Sequence, residues 1–281
     1  MLYKGRIAFF DSGIGGLTTL NECIEQAKTL STYSRFLEFY YYGDNFRAPY
    51  GNLSKAKIKE YVFEAFAYFE KLRVDAVVLA CNTATAICVD ELRKRYNFPI
   101  VGIEPAVAYA AKLGGEIFVL ATQATCHSAR FQNLCNIVSL QYPNASIRVY
   151  PCAELAGEIE RNLEKKEYDY TKYLPKGSPD RVVLGCTHYV YIKNKIKDFY
   201  GCDVMDGNRG VAKRLFTLLN EKYPKALLVE KSELSATEKM RERVLLSKTP
   251  LMVNSPSIFF IGDGKVVNKQ RYEQMFVVEN G

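Results

Sequence analysis

The stretch "VVLACNT", residues 77–83, is an apolar run that ends on a thiol and two polar side chains, and "VVLGCTH" at 182–188 nearly repeats it. A short apolar run bounded by polar residues has the length and composition of a buried strand in a parallel sheet. The repeat extends outward: "GRIAFFDSGIG" (5–15) lines up with "GEIFVLATQAT" (115–125), in the same order relative to the two thiols. Asp11 lies 70 residues before Cys81, and its counterpart Ala121 lies 65 before Cys186. The valines of a matching "AVA" (106–108) and "GVA" (210–212) follow the cysteines by 26 and 25 residues. Self-similarity at this spacing predicts two similar lobes. Ligands of open α/β sheets sit beyond the carboxyl ends of the strands, so two lobes facing each other bring both cysteines to one cleft.

The wider pattern alternates short β-branched and aromatic runs with longer amphipathic stretches, the signature of α/β organisation with mainly parallel sheets. Strands are predicted at 7–10, 38–42, 76–80, 100–103, 117–121, 147–150, 182–185 and 204–206, and helices at 17–29, 54–72 and 83–96 among others. The residues after 213 fall outside the repeat. They read as two polar helices and a strand-like "SIFFIGDG" that complete one lobe.

A chain of 281 residues with 48% apolar and 25% charged residues can bury a sizeable core, which excludes a disordered chain. No apolar run reaches the roughly 20 residues of a membrane span, and "MLYKGRIAFF" lacks the features of a signal peptide, so the cytoplasm is the expected compartment. Eight cysteines in such a chain are expected as free thiols. The net charge of +7 is spread along stretches such as "EIERNLEKKEYD", where basic and acidic residues interleave. Solvated helix faces explain that pattern; a nucleic-acid groove is not expected.

"DSGIGG" (11–16) sits between a strand and a helix, where glycines permit a tight turn and helix amides hold an anion. Thr18 stands where a dinucleotide fingerprint requires glycine. Cys81 and Cys186 occupy equivalent strand ends, each followed by polar residues, and a thiol at a helix start has its pKa lowered by the dipole. A single free cysteine is usually a small buried hydrophobe; a repeat-related pair is harder to explain that way. One thiol on each side of a cleft suits a reaction with a base on one face of a carbon and an acid on the other, which is stereoinversion. Abstracting an amino-acid α-proton in this way needs fixed donors, and Ser12, Asn82, Thr83, Thr122, Thr125 and Thr187 supply hydroxyl and amide groups to hold carboxylates. Asp11 and His188 can manage the protons of the two thiols. With only His127 and His188 present, a metal centre from Cys126, His127, Cys186 and His188 lacks the usual ligand spacing, and no metal is expected. A Cys-His hydrolase leaves Cys81 without a role.

The motifs "FFDSGIGGLTTL", "YYGDNFRAPYG", "VVLACNTATA", "VGIEPAV" and "LGCTHY" resemble, in order and spacing, those of the cofactor-independent glutamate racemases of the aspartate/glutamate racemase superfamily. The resemblance runs through most of the chain. It implies two pseudo-symmetric flavodoxin-like lobes with the C-terminal end returning to the first, here 1–98 plus 208–281 and 99–207. It implies that Cys81 takes the proton from D-glutamate, assisted by Asp11, and Cys186 from L-glutamate, assisted by His188, with no cofactor. Substrate contacts carry over to Ser12, Pro49, Tyr50, Gly51, Asn82, Thr83, Thr125 and Thr187, and a further family glutamate is placed at Glu158. A role in supplying D-glutamate for peptidoglycan and a homodimeric assembly are also implied.

Departures from the family pattern stand at Asn45, Phe46, Ala106 and Val190. The rival readings are a racemase of aspartate or another amino acid, and a non-catalytic amino-acid-binding or partner-inhibiting protein on the same fold. His188 speaks against the aspartate relatives, which resemble C-T-E at that place, and the intact thiol pair speaks against a pure binder.

Overall fold

The computed structural model describes residues 5–29, 37–165, 167–222 and 257–262. Their strands are β1 (Gly5–Asp11), β2 (Leu37–Gly43), β3 (Ala76–Leu79), β4 (Ile100–Gly102), β5 (Gly115–Ala121), β6 (Ala145–Pro151), β7 (Arg181–Gly185), β8 (Asp203–Met205) and β9 (Ser257–Gly262). The helices are α1 (Leu17–Thr29), α2 (Lys55–Lys71), α3 (Asn82–Arg95), α4 (Val107–Lys112), α5 (Gln123–Cys126), α6 (Ala129–Gln141), α7 (Leu155–Asn162), α8 (Lys193–Tyr200) and α9 (Asn208–Lys222). Among the described residues, no helix is long and apolar enough to cross a membrane.

The strands form two sheets, one ordered β4-β3-β1-β2-β9 and the other β6-β5-β7-β8, and every pairing is parallel. Stripped of β9, the first sheet has its strands in the order fourth, third, first, second. The second sheet has that same order in its own numbering, so the internal repeat is a repeat of topology. It is the doubly wound order of flavodoxin-like folds, with the sheet buried between helical layers.

Alternation along the strands assigns each side chain to a layer. In β1, Ile7 and Phe9 enter the core under α1 and α9, whereas Ala8 and Phe10 enter the core under α2 and α3. In and just beyond β3, Val77, Leu79 and Cys81 share the second of these layers. In the other sheet Val182, Leu184 and Cys186 likewise share one layer. Each thiol therefore continues its strand's pleat just past the carboxyl end, Cys81 two residues beyond Leu79 and Cys186 one beyond Gly185.

The helices follow from their apolar spacing. Leu17, Leu20, Ile24 and Ala27 give α1 one buried stripe, and Ile58, Val62, Phe66 and Phe69 do the same for α2. Ser54, expected inside α2, is its N-cap and accepts from the Lys57 amide at 3.3 Å.

One strand lies elsewhere than expected. Ile100–Gly102, on the second-lobe side of a boundary at residue 98, pairs with β3 in the first sheet, Val77 opposite Ile100. The crossover β3-α3-β4 returns the chain beside the strand it left, as short connections between consecutive parallel strands commonly do. The tail does return to the first sheet: β9 pairs with β2, and Val211, Leu215 and Leu219 of α9 pack in the core of α1. The second polar helix expected in that tail lies outside the described residues.

Candidate active site

Four strands of the two sheets end around one small cavity. Ser12, Pro49, Tyr50, Gly51, Cys81, Asn82, Thr83, Thr122, Ala156, Cys186, Thr187 and His188 line it, and its volume is about 10 Å3. That is room for about one water, so the site is closed and an amino acid fits only after its walls move. Every expected substrate contact except Thr125 and Glu158 lines the cavity. Thr125 stands behind it, joined to Thr83 at 3.3 Å and Thr122 at 3.0 Å in a cluster of three buried hydroxyls. Asn82 Oδ1 is buried at the wall with no hydrogen-bond partner, an acceptor whose desolvation nothing offsets.

Cys81 caps α3. Its sulfur accepts from the Ala84 amide at 3.5 Å, and its thiol donates to Ser12 Oγ at 3.7 Å. The expectation of a dipole-lowered thiol does not hold. Burial, and then the nearby Asp11 carboxylate, push Cys81 up to about 12, outweighing the Ala84 and Ser12 contacts. Cys186 meets Nδ1 of His188 at 3.9 Å.

Asp11 is fully buried. Its Oδ1 accepts from the Gly13 amide at 2.9 Å and its Oδ2 from the Thr187 hydroxyl at 3.1 Å. Burial raises its carboxyl to about 6, against the opposing pull of His188 and of these donors. Asp11 thus influences Cys81 through its charge; the direct partner of the Cys81 thiol is Ser12. Thr187, His188 and Tyr191 of a 3-10 turn press on the loop after β1, with Tyr191 donating to the Ile14 carbonyl at 2.9 Å. The contact is so close that a Cβ on Gly15 would fall 2.8 Å from the His188 backbone nitrogen, which explains glycine there.

His188 shows what the sequence reading missed. Its Nε2 lies 2.6 Å from Oε2 of Glu160 on α7, whereas Glu158 turns away to Arg161, Asn162 and Tyr168. Helical spacing carries a signal that finds Glu160. Ala156 lines the cavity, and Glu160 is one turn further along the same face, while Glu158 points roughly 160° away. Burial alone lowers the His188 imidazole, but its bonds with Cys186 and Glu160 prevail and hold it well above its ordinary value. Asp44 is a second missed carboxylate; buried beneath the site, it accepts from Tyr50.

The departures at Asn45, Phe46, Ala106 and Val190 do not line the cavity. Phe46 is on the surface, 86% exposed. His127 pairs with the Gln123 carbonyl at 2.8 Å on α5.

Comparison with known proteins identifies the family. A family model described as Asp/Glu/Hydantoin racemase matches residues 24–215. Glutamate racemase 2 of Bacillus subtilis (strain 168) is 36% identical over 292 residues, spanning 97% of this chain and 96% of that protein. A glutamate racemase of Clostridium perfringens (strain SM101 / Type A) is 33% identical, spanning 90% and 97%. A solved glutamate racemase isoform of Bacillus anthracis superposes with a TM-score of 0.73 at 26% identity, covering 99% of this chain and 94% of that one. The Escherichia coli glutamate racemase in complex with L-glutamate and its activator gives 0.70 at 25% identity, covering 92% and 98%.

Proposed function

The chain belongs to the glutamate racemases of the Asp/Glu/hydantoin racemase family, which are isomerases, and from that premise we propose that it interconverts L- and D-glutamate with two thiols and no cofactor. The observation that carries this reading is the convergence of Cys81 and Cys186, from equivalent ends of the two sheets, on one closed cavity. In the L-to-D direction, Cys186 takes the α-proton of L-glutamate, with His188 beside it as partner. The electron pair left on the α-carbon is stabilised by fixed donors in a cleft that excludes water. The Cys81 thiol, held protonated by its surroundings, then returns a proton to the opposite face. The reverse direction exchanges the roles, with the Asp11 carboxylate acting on Cys81 through its charge.

Ser12, Asn82, Thr83, Thr122 and Thr187 hold the substrate's polar groups, and Glu160, in place of Glu158, completes the His188 side. By the family's pattern the product serves peptidoglycan synthesis in the cytoplasm, and a homodimer is the expected assembly. We divide the lobes at the sheet change after β4. The test is to incubate purified protein with L-glutamate, D-glutamate, L-aspartate and D-aspartate without added cofactor and to follow enantiomers by chiral chromatography. Racemisation of glutamate from both sides is expected. Turnover of aspartate alone would overturn the substrate assignment, and no turnover of either would favour a binding protein on this fold.

A further inference from the structure

Glu158 sits two residues from Glu160 on an eight-residue helix, α7, and faces away from the cavity. A helix of two turns has little stability of its own, and Glu154 at its N-cap offers no side-chain hydrogen bond. What holds α7 is tertiary. At its entrance the Tyr189 hydroxyl donates to the Cys152 carbonyl at 2.9 Å, and Leu155 and Ile159 pack in the core with Tyr189 and Ile192 of the turn that carries His188.

At its exit the Glu158 carboxylate collects donors. Arg161 and Tyr168 bond to it closely, and Asn162 Nδ2 donates to it at 3.1 Å and to the Glu158 carbonyl at 3.0 Å. Tyr168 in turn meets the Tyr173 hydroxyl at 3.3 Å, and Lys195 of α8 donates to the Tyr168 carbonyl at 2.9 Å. The carboxylate therefore ties the end of α7 to the returning segment and, through it, to α8.

We propose that Glu158 is a positioning residue: by clasping Tyr168 it fixes the end of α7 and so keeps the Glu160 carboxylate against His188. This rests on the reading of His188 as the proton partner of Cys186. The groups facing His188 are Cys186 on its own turn, Glu160 from α7 and Asp11 from the end of β1. Of these Glu160 is the one whose helix depends on the clasp. The carboxylate itself is held down to about 2 by the Tyr168 and Arg161 contacts, so the clasp stays charged throughout the working pH range.

The experiment measures kcat and KM for L-glutamate across pH in the wild type, Glu160→Gln, Glu158→Gln, the double variant and Tyr168→Phe. Losing the Glu160 contact lowers the His188 pKa, so Glu160→Gln moves the alkaline limb of the kcat profile down by about 1 unit. Glu158→Gln and Tyr168→Phe are expected to move it in the same direction, with kcat falling more than KM rises. The double variant is expected to show no shift beyond that of Glu160→Gln, because both act through one contact. A wild-type limb in Glu158→Gln and Tyr168→Phe, with Glu160→Gln shifted, would overturn the positioning role alone. An unshifted Glu160→Gln would overturn the underlying reading of His188 as well. Tyr168→Phe keeps the test decisive if Glu158→Gln fails to fold.

Discussion

The hydroxyl of Thr187, beside Cys186 in one half of the molecule, donates to Oδ2 of Asp11, at the end of the central strand of the other half, over 3.1 Å. The first half-site's carboxylate is thus stabilised by a residue of the second. Removing this donor leaves the carboxylate less well solvated, and a hydrogen bond to a charged group contributes about 1.5–3 kcal/mol. Thr187→Val is therefore expected to raise the Asp11 pKa from about 6 by about 1 unit. The acid limb of kcat/KM, which reports the free enzyme, moves up with it. A limb that stays in place would show that Asp11 does not govern it.

Asp11 also links the site to stability. Its folded pKa, about 6, lies above the ordinary 3.8, so the folded chain binds the proton more tightly than the unfolded chain. Protonated Asp11 is tolerated; ionised, buried Asp11 is costly, and stability is lost as pH rises from about 4 through 6. Asp11→Asn is expected to remove that loss. The variant should unfold at higher urea than wild type at pH 7, by an amount on the order of 3 kcal/mol, yet turn over glutamate far more slowly. Equal pH dependence of unfolding in the two proteins would contradict this.

Asn82 points to a similar trade. Its buried Oδ1 has no partner in the closed cleft, so Asn82→Ala removes an unsatisfied acceptor. The melting temperature is expected to be unchanged or higher, reflecting up to about 1 kcal/mol, while KM for glutamate rises. A lower melting temperature with an unchanged KM would give Asn82 a structural role only.

The first sheet owes much of its outer layer to Phe66, buried on α2 and in edge contact with Phe69 at 5.5 Å and beside Tyr96 and Phe98. Phe66→Ala leaves a cavity in this aromatic cluster, and a loss of about 3–5 kcal/mol is expected in urea unfolding. A loss under about 1 kcal/mol would mean that the cluster collapses to fill the space.

The strands were legible because buried parallel strands carry a strong local signal. "IAFF" and "VVLA" needed no partner to be recognised, and the near-identity of the segments ending in Cys81 and Cys186 placed both thiols at equivalent positions. Strand order is not local, and three residues such as Ile100–Gly102 carry no mark of the strand they join, so the pairing of β4 with β3 is not visible in the sequence. The resemblance points to Glu158, whereas helical geometry favours Glu160, the residue one turn beyond Ala156 and the one that meets His188. The ionisation of Cys81 was misjudged for a different reason: the helix start is visible in sequence, but burial and the charge of Asp11, 70 residues away, are products of the fold.

The central claim is that two thiols act on opposite faces of one α-carbon. Its most direct test follows the α-proton of L- and D-glutamate by NMR in deuterated water, without cofactor, in wild type, Cys81→Ala and Cys186→Ala. The wild type is expected to exchange the proton of both enantiomers as it racemises them. Each single variant is expected to lose racemisation by about 100-fold or more, because one face then lacks its acid or base. Undiminished exchange and inversion in both variants would contradict the two-thiol account.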